Sequence, residues 1–337
     1  MTNNDFLCYD PAVYVVGDRY EIMFKTREKG AAWVLIDGRR YTDNFGGVVR
    51  SSSTTHRVYV KQEILDRAKK YTVVLALIPE RPAYFPKTAE YFEKEYSFRP
   101  LPEGDIRAYM LADTHSHVDA PAAAAGYFGD AGLDLLIMGG DNGNTADDEE
   151  SVLTMAKIAA KVGKGEIPVI FMRGNHDNRG AYAEFLSEYA STYGGKPYYP
   201  IRIGRIWGLV LDAGEDKLDT HEAYGDIADY TEFRREQLDF IKASNPEGEI
   251  NLILCHVPFA SFDTPFNDIF AEWTEALNEK GIDLMLAGHR HELYMFGKGE
   301  SKINDTVAEF PVAVGSRINK KIAETYVGAA IVIGKTE

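Results

Sequence analysis

Five short apolar runs in this chain each end, without a spacer, in a block of metal-ligand residue types. Met110-Leu111-Ala112 runs into Asp113-Thr-His115, and Ile137-Met138-Gly139-Gly140 runs into Asp141. Phe171-Met172-Arg173-Gly174 leads to Asn175-His176-Asp177, Ile253-Leu254-Cys255 to His256, and Met285-Leu286-Ala287-Gly288 to His289-Arg290-His291. Near-continuous apolarity suits strands covered on both faces. Ligands of α/β sheets gather beyond the carboxyl ends of the strands. Blocks remote in sequence are therefore expected to converge on one sheet edge. Of the eight histidines, only His56 and His221 fall outside these blocks, counting His117 with the first. Imidazole, carboxylate and amide oxygen together suit hard or borderline divalent ions. Glycines 139, 140, 174 and 288 are expected to let the backbone turn sharply beside them.

The first hundred residues have a different rhythm. Tyr20 to Thr26, Ala32 to Ile36, His56 to Val60 and Tyr71 to Ile78 read as short strands rich in β-branched and aromatic residues. Asp37-Gly38 is a tight-turn signal, and Gln62 to Lys70 offers one short helix. A β-sandwich over residues 1–100 is the natural solution, with His56 exposed. Phe98 to Gly104 holds two prolines and a glycine and reads as a linker. Residues 101–337 then alternate strands with helical stretches. Ala146 to Val162 opens on Asp147, Asp148, Glu149 and Glu150 and stops at Gly163, as the helix dipole and C-cap geometry favour.

The 37 basic and 52 acidic residues leave a net charge of −15, which disfavours a general nucleic-acid surface or an anionic membrane. It leaves a phosphate substrate open, because bound cations reverse the local sign. Two cysteines supply no disulfide framework. No signal peptide and no membrane-spanning stretch is legible, so the expected location is cytoplasmic.

In this order the blocks resemble the calcineurin-like metallophosphoesterase family, whose pattern is D-x-H, G-D, G-N-H-[DE], a lone H and G-H-x-H. The strand-rich start is similar in architecture to the Ig-like or fibronectin-like domain of purple acid phosphatases and their relatives. The resemblance implies an α/β four-layer sandwich, two β-sheets flanked by helices, for residues 101–337. It implies metal-dependent hydrolysis of phosphate mono- or diesters by a bridging hydroxide at a dinuclear centre. Asp113, His115, Asp141 and His291 would hold one ion; Asp141, Asn175, His256 and His289 would hold the other. The ions would be two transition metals among Mn, Fe, Zn and Ni. His176 would serve the leaving group, and Asp177 would orient His176. His115 stands where purple acid phosphatases carry glycine, and Asn144 stands at their tyrosine position, so the implied type is non-purple.

Beside the blocks, His117, Arg173, Arg179 and Arg290 are candidate substrate contacts, each with a plain structural alternative: a solvated histidine, or an arginine paired with nearby acids. The implied partner is a small phosphate ester. The alternative function is a catalytically weak scaffold or binding protein working through its N-terminal sandwich. The residues leave the oligomeric state, the native metals and the choice between monoester and diester open.

Overall fold

A computed structural model of the chain describes residues 1–315, 317–318 and 326–334. Two large sheets dominate it. One has seven strands, ordered Ala329–Ile333, Ile106–Leu111, Leu135–Met138, Pro168–Phe171, Ala12–Val16, Arg19–Lys25 and Thr55–Lys61. The other has six, ordered Tyr199–Ile203, Ile206–Leu211, Ile250–Cys255, Leu284–Ala287, Val312–Val314 and Tyr294–Phe296.

The strand period of two sorts the core into layers. Val210, Leu252, Leu254 and Leu286 pack into one apolar cluster with Ile137 and Ile170, between the two sheets, while Val169 faces the other way, toward Gly163. Their neighbours Leu209, Leu211, Ile253, Cys255 and Met285 face the opposite way, against Leu238, Ile241, Phe270 and Trp273. Those last four belong to the helices Tyr230–Ala243 and Asn267–Asn278. On the outer face of the seven-stranded sheet lies the helix Thr154–Gly163, with Met155, Ile158 and Ala159 buried. The result is the expected four-layer sandwich of two sheets flanked by helices. Among the described residues no helix is long and apolar enough to cross a membrane.

The first hundred residues are strand-rich as expected, and one of their sheets is shared with the rest of the chain. Gly30–Ile36, Arg39–Thr42, Lys70–Leu77 and Tyr91–Ser97 do form a sheet of their own. The sheet facing it is the end of the seven-stranded one. Ala12–Val16 pairs in parallel with Pro168–Phe171, with Val13 opposite Pro168 and Tyr14 opposite Val169. One apolar cluster runs from Phe6 to Ile333. Residues on both sides of 100 and 101 thus share one core. The reason is Ala12–Val16, five residues buried throughout, which covers what would otherwise be an open strand edge. His56, expected on the surface, is fully buried under Phe24, ring centroids 5.5 Å apart.

The helix expected over residues 146–162 starts later and breaks once. Asp148 caps Glu149–Val152, accepting from the Ser151 amide while Ser151 Oγ accepts from the Asp148 amide. Leu153 then interrupts the run before Thr154–Gly163.

Candidate metal centre

All five blocks meet where the carboxyl ends of the two sheets face each other. Asp113, Asp141 and Asn175 follow strands of the seven-stranded sheet, and His256 and His289 follow strands of the six-stranded one. Asp113, His115 and His291 form one group of converging ligand atoms, and Asp141, His256 and His289 form another. Asp141 Oδ2 lies 3.1 Å from His256 Nε2 and 4.0 Å from His176 Nε2. Asp113 Oδ1 lies 3.2 Å from His291 Nε2 and 3.8 Å from His256 Nε2. Asn175 Oδ1 stands 3.0 Å from His289 Nδ1.

The backbone is bent to bring them there. Asp113, His115, Asp141, His289 and His291 all have φ between +43° and +71°, a region non-glycine residues seldom enter. Such conformations cost about 1–3 kcal/mol each and persist where the surroundings impose them. Of the four glycines expected to turn the chain, only Gly140 has a positive φ. Gly174 and Gly288 serve close approach instead. A Cβ at Gly288 would sit 3.0 Å from Asp113 Oδ2, and one at Gly174 would collide with the Asp141 carboxylate.

The hydrogen bonds aim the ligand atoms. His256 Nδ1 bonds the Gly139 carbonyl at 2.7 Å. A carbonyl only accepts, so Nδ1 carries the hydrogen and Nε2 points at the two carboxylates. The His289 amide donates to Asp113 Oδ2 at 3.0 Å, and the His176 amide donates to Asp141 Oδ1 at 2.7 Å. His176 Nδ1 is held by the Asn144 carbonyl at 2.8 Å.

Asp177 does not orient His176. Its carboxylate accepts from the backbone amides of Asp141 (3.0 Å), Gly174 (2.8 Å) and Gly143 (3.4 Å). His176–Asn178 is a single 3₁₀ turn, in which successive side chains point about a third of a circle apart, so one faces the cleft and the next faces inward. Burial, reinforced by the Asp141 charge, pushes the Asp177 carboxyl up to about 7.

The electrostatics are those of a cation cage. Burial would raise Asp141, yet the His256 imidazole beside it holds the carboxyl well below the usual range. Asp113 is lowered in the same way, against its burial, by His256 and His291. His256, also against burial, is pushed up to about 10 by Asp141 and Asp113. Burial lowers His115 and His289 to about 4. Three observations fit these residues to metal ions. Asp113 Oδ1 and His115 Nδ1 are buried without a hydrogen bond of sound geometry. His115 Nε2 and His291 Nε2 face each other at 3.4 Å. One end of the Asn175 amide lies against Asp141 Oδ2 and His289 Nδ1. Lone pairs gathered this way are reconciled by a cation among them.

The arginines separate clearly. Arg173 is paired with Asp212 and packed over Phe233. Arg179 is forked onto Glu215 at 2.7 and 2.8 Å, with Nη1 3.0 Å from His176 Nε2. Arg290 lies over the Phe262 ring at 4.2 Å and near Tyr294 at 5.6 Å. His117 is exposed, two residues beyond His115, its amide bonded to the Thr114 carbonyl. Sequence reasoning missed three supports of the site: the Asn144 carbonyl, the buried Glu215 carboxylate, and Phe262, whose ring meets His289 edge-on at 5.4 Å. Glu215 sits in a polar stretch that reads as a surface loop, so no local signal distinguishes it.

Facing sheets with a carboxylate–imidazole cluster across their joined ends define a metal-binding α/β sandwich. The calcineurin-like phosphoesterase family matches residues 106–293, more than half of the sequence, and the chain belongs to that family. Among solved structures it is similar to a purple acid phosphatase from seeds of yellow lupin (Lupinus luteus), at 12% identity and a TM-score of 0.58. That match covers 97% of this chain and 66% of the lupin chain, just under two thirds. It is more distantly similar to GAP50, the anchor in the inner membrane complex of Plasmodium (11% identity, TM-score 0.43, 63% of this chain and 71% of that one). The calcineurin-like phosphoesterase YfkN of Bacillus subtilis is another distant match (13% identity, TM-score 0.34, 69% and 91%). At these identities the lupin likeness is one of fold, and the other two carry no argument. No curated protein matches the chain.

Proposed function

We propose that the chain hydrolyses phosphate mono- or diesters at a pair of metal ions. Asp113, His115, Asp141 and His291 would hold one, and Asp141, Asn175, His256 and His289 the other. The carrying observation is Asp141: one buried carboxylate lies against both ligand groups, with Oδ2 3.1 Å from His256 Nε2. When bound, a pair of such ions supplies a water of lowered pKa as nucleophile and Lewis-acid contacts to the phosphate oxygens.

The chain's own groups do the rest. Asp141 is held by the His176 amide, so its second oxygen stays free to be shared. The His256–Gly139 bond fixes which imidazole nitrogen enters the cage. His176 stands outside the two ligand sets with Nε2 toward the cluster, the position for meeting a leaving oxygen. In the structure Arg179 donates to that Nε2, so Arg179 must turn aside before Nε2 can donate to substrate. Arg290 is the substrate-contact candidate for which no carboxylate stands in reach among the described residues. The scaffold alternative has no observation in its favour, because all seven candidate ligands converge.

Asp141→Asn tests the reading. Elemental analysis should show loss of bound metal, and turnover of para-nitrophenyl phosphate and its bis ester with Mn²⁺ should fall by about a hundredfold or more. Full turnover by a metal-free variant would refute the two-ion mechanism. Relative rates on the monoester, the diester and nucleotides then define the substrate class.

A further inference from the structure

The Asn175 side chain is caught between two claims on one atom. It is buried, with one end of its amide toward Asp141 Oδ2 (3.3 Å) and His289 Nδ1 (3.0 Å) and the other toward Arg179 Nη2 (2.9 Å). With the oxygen toward Asp141 and His289, the amide nitrogen abuts Arg179, donor against donor. With the amide turned over, its oxygen accepts from Arg179 and its nitrogen donates to Asp141, and to His289 when Nδ1 is that ring's bare nitrogen. A cation can take only the oxygen.

Arg179 yields only at a cost. Its Nε and Nη2 are forked onto Glu215, a buried carboxylate that also accepts from Tyr224 Oη at 3.2 Å. Glu215 is fixed in turn by the buried Arg234, whose Nη2 donates to the Glu215 carbonyl at 2.7 Å. The remaining guanidinium nitrogen, Nη1, rests on His176 Nε2. A charge-assisted fork of this kind holds the guanidinium plane in place.

We propose that Arg179 is a positioning residue that competes with the bound cation for the Asn175 oxygen, so that metal loading turns the amide and displaces the Arg179 edge from it. This rests on the reading of Asn175 as a metal ligand. Loading then has a defined local consequence. The Nη2 hydrogen that bonded Asn175 is then released and becomes available to a phosphate oxygen. Empty and loaded forms thus differ in which way one buried amide points and in what one arginine can donate to.

The test is the affinity of the chelator-stripped chain for Mn²⁺, read by calorimetry. Removing Arg179 alone would leave the buried Glu215 unpaired, so the informative variant is the pair Arg179→Met with Glu215→Gln, which replaces a neutral ion pair with neutral groups. It should bind the ion at the Asn175 site about tenfold more tightly, the scale of one relieved donor conflict. In an Asn175→Asp background the same pair of changes should bring no tightening, because a carboxylate offers oxygen to cation and arginine at once. Unchanged or weaker Mn²⁺ binding in the paired variant would overturn the proposal, and so would equal tightening in both backgrounds. If Asn175→Ala leaves both Mn²⁺ binding events unaltered, the ligand assignment itself fails and takes this inference with it.

Discussion

A histidine that never meets its partner sets one limit on the protein's stability. His56 Nδ1 stands 3.9 Å from Asp43 Oδ2, too far for a hydrogen bond, and Asp43 is already engaged by Arg50 at 3.4 Å. Burial, with Arg50 and Lys25 nearby, lowers His56 to about 4 from an ordinary 6.5. The unfolded chain therefore binds a proton that the folded chain refuses. The contribution of neutral His56 is complete above pH 6.5 and is lost as pH falls from there toward 4, by up to about 3 kcal/mol at about 1.4 kcal/mol per pH unit. Urea unfolding at pH 7.5 and pH 4.5 should show this loss, and His56→Phe should flatten it. An unchanged slope in the variant would contradict the assignment. This burial is not legible locally, because it depends on a facing sheet that strand alternation alone does not reveal. The metal ligands were legible for the opposite reason. Their residue types and their place after apolar runs are local facts, and convergence follows from the sheet rule. Asp177 departs from its expected role because a 3₁₀ turn sends neighbouring side chains in different directions.

The strands were readable where they alternate or run apolar, and the helix of residues 146–162 was recognisable but drawn as one piece. Its later start follows from the capping box at Asp148, which makes Glu149 the first helical residue. Ala12–Val16 is not among the expected strands although it is apolar throughout; its partner Pro168–Phe171 is remote in sequence, so no local turn or hairpin pattern marks the pairing. The strand-to-loop junctions pack more tightly than turn propensity alone suggests. Gly174 is needed for space, because a methyl there falls on both the amide and the carboxylate of Asp141. Gly174→Ala should therefore displace Asp141 and strip bound metal, with the thermal midpoint falling by several degrees, as expected for about 1–3 kcal/mol of overpacking. Elemental analysis and a melting curve measure both; a variant that keeps its metal and its midpoint would show the junction to be more compliant than its contacts indicate.

At the level of the whole molecule the first hundred residues extend the seven-stranded sheet. A chain beginning at residue 101 would expose the Pro168–Phe171 edge and the apolar faces now covered by Ala12–Val16, Tyr20 and Val58. It should not fold to a monomer: circular dichroism and gel filtration are expected to show lost structure or aggregation. A well-folded fragment would support the two-domain reading.

Four of the proposed ligands, Asp113, His115, Asp141 and Asn175, ride on one sheet, and His256, His289 and His291 ride on the other. Ion uptake and the docking of the two layers are then a single equilibrium. Saturating the cage a hundredfold above its dissociation constant would clamp the halves together by about 2.7 kcal/mol, and any change that spreads the halves is felt first as a leak of metal.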